Sequence, residues 1–184
     1  QLNDLLEGKE VELPRFNFLK GHRVFEGKTL KLEQGDLLFM EGIHALNPQL
    51  TPSIEQNNIF KIYISALSAL PGGQKIHNST TDKRLLRRIV RDSRSRGKRP
   101  EDTILGWPSV RRGETLHIFP FEERADVVFN SSTLYDLPVL KFYAQPLLES
   151  IPKSSEAYSK AQALLEFLKL VKPLSEQEIA AIPP

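Results

Sequence analysis

The rhythm of apolar and polar positions changes repeatedly along the chain, and each change predicts an element. Gln1–Glu7 reads as the end of a helix, stopped by Gly8 at a position suited to a left-handed C-cap. Val11 to Phe18 then alternates apolar and polar, as a strand with an interrupted edge at Pro14. Lys20-Gly21-His22 turns, Arg23–Glu26 returns, and Gly27-Lys28 turns again into Thr29–Leu32, which predicts a small antiparallel ribbon. The rhythm next becomes continuous. Leu37-Leu38-Phe39-Met40, Ile59–Ile64 and Ala125–Asn130 are short, mostly apolar runs of the kind a sheet covered on both faces requires. Helical stretches separate them, so the predicted class is α/β with a parallel sheet and flanking helices.

The most ordered helical pattern lies in Thr80–Trp107. Thr81 or Asp82 can cap it, and Leu85, Leu86, Ile89 and Val90 form one apolar stripe. Arg84, Arg87, Arg88, Arg91 and Arg94 are left on the other faces. The pattern breaks at Gly97, and Pro100 followed by Glu101 and Asp102 starts a second helix. Further on, Leu134–Leu148 is helical with Pro138 and Pro146 at first turns or breaks. Ser154-Ser155-Glu156 opens a cleaner helix with Ala161, Leu164, Leu165, Leu168 and Val171 on one face, and Ser175–Pro184 ends the chain as a short helix with a frayed end.

Composition changes this picture little. At 184 residues, with 40% apolar residues, the chain can bury a core of ordinary domain size. A charged fraction of 26% and a net charge of +2 argue against both disorder and general coating of nucleic acid. The absence of cysteine removes disulfides, thiolate metal sites and a Cys nucleophile. No apolar run approaches the ~18–20 residues of a membrane span and no signal peptide is visible, so a cytoplasmic protein is expected. The basic excess is local: Thr80–Trp107 holds nine of the 25 Lys and Arg residues.

That concentration carries the candidate chemistry. Arg88, Arg91, Arg96 and Lys98 run off a helix into a glycine turn, as a mobile lid over a phosphate chain requires. Planar bidentate donors suit phosphate oxygens. No aromatic residues interleave with them, which counts against single-stranded nucleic acid, although a non-catalytic phosphate- or RNA-binding module remains the alternative. Glu41 follows an apolar strand, where a carboxylate can hold a Mg²⁺ that bridges phosphates. His22, His44, His77 and His117 are scattered without zinc-site spacing, Trp107 is expected to pack, and Glu114 can pair with Arg111 or Arg112. No GxxxxGK[ST] phosphate cradle is present.

Taken together, the motifs resemble the uridine kinase and phosphoribulokinase family of P-loop kinases. Leu37–Ile43 looks like its strand ending in Glu-Gly-Ile, and Asp82–Lys98 is similar to its D-x-RL-x-RR-x-x-RD-x-x-x-RG-[RK] signature. Ala125-Asp126-Val127-Val128 looks like a late strand of the family, and the agreement runs over about Leu5–Ser131. The wording PRFNF, EGIHALNP and WPSVRRGE resembles a bacterial uridine kinase-like branch. The resemblance implies a C-terminal portion of a kinase using ATP and Mg²⁺ and acting on a small-molecule hydroxyl. Residues 1–150 would belong to the kinase-like domain, with a hairpin arm at 11–32 and a lid at 80–107, and 151–184 would be a helical extension. Arg88 and Arg91 would be catalytic, Arg96 and Lys98 would bind ATP, and Glu41 would associate with the metal. Phe16, Asn17 and His22 on the arm would meet the acceptor.

The departures concern that acceptor. Phe16-Asn17-Phe18 stands where uridine kinases have Tyr-Asp-Phe, Gly21 replaces the hairpin histidine with His22 one place off, and the base-reading glutamine falls at Gly106. Loss of such polar groups weakens discrimination, so kinase chemistry is expected more firmly than uridine as its substrate. The P-loop and the catalytic carboxylate are expected before Gln1, which makes the chain alone inactive and leaves apolar sheet edges that favour a homo-oligomer.

Overall fold

A computed structural model describes residues 1–17, 21–66 and 79–182. The expected turn at Lys20 and the Pro71–Ser79 Gly-Gly loop fall partly or wholly outside the described residues, as does Phe18. Two units are formed, Gln1–Lys61 and Ile62–Pro184.

In the first unit, α1 (Leu2–Leu6) buries Leu5 and ends at Glu7, after which Gly8 takes φ 75°. That left-handed stop is the one expected. β1 (Val11–Asn17) pairs antiparallel with β2 (His22–Leu30). The second turn expected at Gly27-Lys28 is instead an irregularity inside one continuous strand. Glu12 faces Thr29 but Pro14 faces Phe25, so β2 carries extra residues opposite this point. Pro14 has no N–H to offer the ladder, Gly27 absorbs the excess at φ 76°, and its N–H donates to the Glu12 carboxylate at 2.7 Å.

Leu37–Met40 corrects another expectation. It is not a covered strand. The segment has no ladder partner among the described residues, and Leu37 and Phe39 are 81% and 86% exposed. An apolar run acquires strand order only through neighbouring strands that take its N–H and C=O groups.

In the second unit, β3 (Ile62–Ser65) lies parallel to β4 (Val127–Asn130), with Ile62 opposite Val127 and Ser65 opposite Asn130. Parallel pairing was expected, but coverage on both faces was not found: Ile62, Ile64, Val127 and Phe129 share a face and are exposed. The buried core is helical. α2 (Ser79–Arg96) buries all of Leu85, Leu86, Ile89 and Val90, as its stripe predicts. These pack in one cluster with Leu137, Leu140, Ala144 and Leu148 of α4 (Asp136–Glu149) and Ala161, Leu164 and Leu168 of α5 (Tyr158–Lys169). α3 (Pro100–His117) adds Ile104 and Trp107. Pro100 occupies its first turn, where a missing N–H costs nothing.

Charged ties fix the helices laterally. The Lys83 ammonium, 3% exposed, lies 2.9 Å from Asp136, and Lys160 reaches Asp82 at 2.6 Å. α6 (Glu176–Ala180) closes the described chain with a capping box between Ser175 and Glu178. Among the described residues no helix is long and apolar enough to cross a membrane.

Candidate functional site

Three of the four basic residues singled out above bring their guanidiniums to one acidic residue, and the fourth, Lys98, reaches it through its main chain. Asp92 lies on α2 with Arg88 one turn before it and Arg96 one turn after it. Its carboxylate is 3.0 Å from Arg96 Nη1, 3.3 Å from Arg88 Nε and 3.5 Å from Arg91 Nε. It is only 1% exposed, and its Oδ2 accepts no hydrogen bond. Burying a carboxylate carries a desolvation cost that neighbouring cations offset. The backbone contributes as well. Gly97, at φ 60°, reverses the chain so that the Lys98 N–H donates to the Asp92 carbonyl at 3.1 Å. The Lys98 ammonium then lies beside Gly106 of α3, 3.8 Å from where a β-carbon on that glycine would be.

The other guanidiniums of α2 are engaged in the fold. Arg84 bonds Glu114, as does Arg111 at 2.9 Å, and both lie over the Phe119 ring at 5.9 and 5.1 Å. Glu114 was expected to meet Arg111 or Arg112; the buried contact with Arg84 was missed. Arg87 forks onto both oxygens of Asp136 at 2.6 Å, and Arg94 lies 4.8 Å from the Tyr143 ring centroid. Burial pushes the Asp136 carboxyl up, but hydrogen bonds from Lys83 and Arg87 outweigh it and hold the group below the usual carboxylate range. At the start of α3, Arg99 bonds Asp102 and holds it low in the same way. On β3, burial raises the Tyr63 phenol, assisted by its bond to Glu122.

The arm residues behave differently. Asn17 and His22 face one another as cross-strand partners at the end of the hairpin, and the Gly21 N–H donates to the Asn17 carbonyl at 2.8 Å. Phe16, paired with Arg23, points to the opposite face of the ribbon and is half-exposed. Glu41 sits exposed in irregular chain. Among the described residues no group of three or more His, Cys, Asp or Glu side chains gathers as a metal would require.

The overlooked member is Asp92. The i, i+4 spacings Arg88–Asp92 and Asp92–Arg96 carried that signal. What the spacing lacked was depth: only the packed α2 puts this carboxylate inside and the guanidiniums around it.

Comparison with known proteins assigns the lineage. The Phosphoribulokinase / Uridine kinase family matches over residues 1–138. The chain belongs to that family. It is similar to a uridine kinase of Macrococcus caseolyticus, 33% identical over 129 residues, which are 69% of this chain and 53% of that protein. It is also similar to uridine-cytidine kinase B of Dictyostelium discoideum, 29% identical over 128 residues, covering 69% and 45% of the two chains. An inorganic pyrophosphatase of Arabidopsis thaliana is 31% identical over 103 residues, 56% of this chain and 13% of that one. The chain spans about half the length of the curated uridine kinases it matches. No solved structure matches it significantly.

Proposed function

We propose that the chain supplies the acceptor arm and arginine lid of an ATP-dependent kinase that phosphorylates a hydroxyl of a nucleoside or another small molecule. The observation that carries this reading is the convergence of the Arg88, Arg91 and Arg96 guanidiniums on Asp92, whose carbonyl also holds the Lys98 main chain, within a family of kinases. Charge on a transferring phosphoryl group spreads over its oxygens, and preorganised guanidiniums meet it without reorganisation. In this reading Arg88 and Arg91 neutralise the transferring group, while Arg96 and Lys98 close over the ATP phosphates. Asn17 and His22, paired at the end of the hairpin, orient the acceptor from one face of the ribbon, and Phe16 lies on the other face. Glu41 would hold Mg²⁺ as one ligand among phosphate and water oxygens; when bound, the ion draws charge off those oxygens. Since the chain contains no GxxxxGK[ST], it would not turn over ATP by itself. The exposed face of Ile62, Ile64, Val127 and Phe129 favours association with a second copy, which light scattering tests: a monomer at high concentration opposes it.

The decisive experiment is a thermal-shift screen of the 184-residue chain against ATP–Mg²⁺, nucleosides and sugar phosphates, beside Arg88→Gln/Arg91→Gln. Stabilisation by ATP–Mg²⁺ that disappears in the double variant supports the reading. No shift with any phosphate compound opposes it, and ATP-dependent phosphorylation of a nucleoside by this chain contradicts the predicted inactivity. RNA binding that falls steeply with salt and ignores nucleotide would favour the binding-module alternative.

A further inference from the structure

We infer that Asp92 is a positioning residue, which orders Arg88, Arg91, Arg96 and Lys98 to receive a polyphosphate chain; this rests on the function proposed above. A position beside Ile89 and Val90 in the α2 core would take an apolar side chain with no desolvation cost. It holds instead a carboxylate whose Oδ2 lacks a hydrogen bond, so its presence is poorly accounted for by helix stability. What it does have is contact with the three guanidiniums assigned to the phosphates, and a main-chain bond to the fourth residue, Lys98. Arg88 and Arg91 meet it through Nε, so the contact does not consume their terminal nitrogens, the pair that forks onto phosphate. Arg96 meets it from the following turn through Nη1. Its own carbonyl takes the Lys98 N–H across the left-handed Gly97, so the same residue also sets the start of the loop that carries Lys98. One buried group therefore limits the rotamers of three long side chains and the path of a fourth. Ordering in advance of binding removes an entropic cost that flexible arginines otherwise incur at that moment.

Coulomb's law and positioning make opposite forecasts for Asp92→Asn. Deleting a negative charge beside three cations should tighten anion binding if charge alone matters. It should weaken binding if the carboxylate orders the guanidiniums. The test is calorimetric titration of tripolyphosphate into the full 184-residue chain and its Asp92→Asn variant. It is paired with NMR of the arginine Nε–H groups, assigned with Arg88→Lys and Arg91→Lys. The expected result is binding about tenfold weaker in the variant, with the amide spectrum retained and the Arg88 and Arg91 Nε–H signals collapsed toward free-arginine shifts. Equal or tighter binding by a folded variant overturns the positioning role and leaves the phosphate site standing. Failure of the unaltered chain to bind tripolyphosphate overturns the site and the inference together. If the variant does not fold, the unaltered spectrum decides: dispersed, exchange-protected Nε–H signals for Arg88 and Arg91 support positioning, and free-arginine shifts overturn it.

Discussion

Removing the Asp136 carboxylate is expected to loosen the α2–α4 contact by about 3 kcal/mol, the lower end of the range for breaking one side of a buried ion pair. The geometry sets that level. Lys83 is 3% exposed and lies 2.9 Å from Asp136, so Asp136→Ala takes this carboxylate away from a buried ammonium. Asp136 itself is 16% exposed and Arg87 is 44% exposed, so the second arm of the bridge is wetter and weaker. Urea unfolding followed by Trp107 fluorescence reads the effect directly, since this is the chain's single tryptophan and it packs in the same cluster as Leu137 and Leu140. The companion variant Lys83→Met/Asp136→Leu removes both charges and is expected to cost less than about 1 kcal/mol. An Asp136→Ala protein within about 0.5 kcal/mol of the parent would refute the reasoning, because surface pairs behave in that way. A double variant as unstable as the single one would refute it too.

The pH dependence of the same group follows from its depressed folded-state pKa: its contribution is present above the ordinary carboxylate range and fades as pH falls through the folded value. The stability gap between the parent and Asp136→Asn should therefore narrow on acidification below about pH 4, and a gap constant to pH 2 would oppose this. Leu164→Ala, at a fully buried site, should cost about 2–5 kcal/mol by chemical denaturation, with a sub-kilocalorie loss refuting its place in the core. Gly97→Ala should cost about 1 kcal/mol from backbone strain alone, because φ is 60° and no atom lies within 4 Å of a new β-carbon. An unchanged midpoint would mean that the turn after α2 is not left-handed.

Helices proved more legible than strands, and the reason is physical. The stripe Leu85, Leu86, Ile89, Val90 specifies which face of α2 is buried because a helix satisfies its own backbone, leaving only side chains to choose an orientation. Trp107 packing and the Gly8 stop were readable for the same local reason. Leu37–Met40 reads equally clearly as an apolar run, yet its strand character depends on partners that local pattern does not contain. The Gly27 irregularity depends on the partner strand too, since it answers a proline thirteen residues earlier.

Around Asp92, the residue types and their order were determined locally: arginines at helical spacing, then Gly97 and Lys98. Tertiary packing decided which arginines are committed to the fold and which gather around Asp92. Arg84 and Arg87 bond Glu114 and Asp136, which lie 30 and 49 residues further along the chain. Charge in a sequence is only a count with a spacing. Its use depends on which carboxylates the packed helices bring within reach, and on how far water is kept from them.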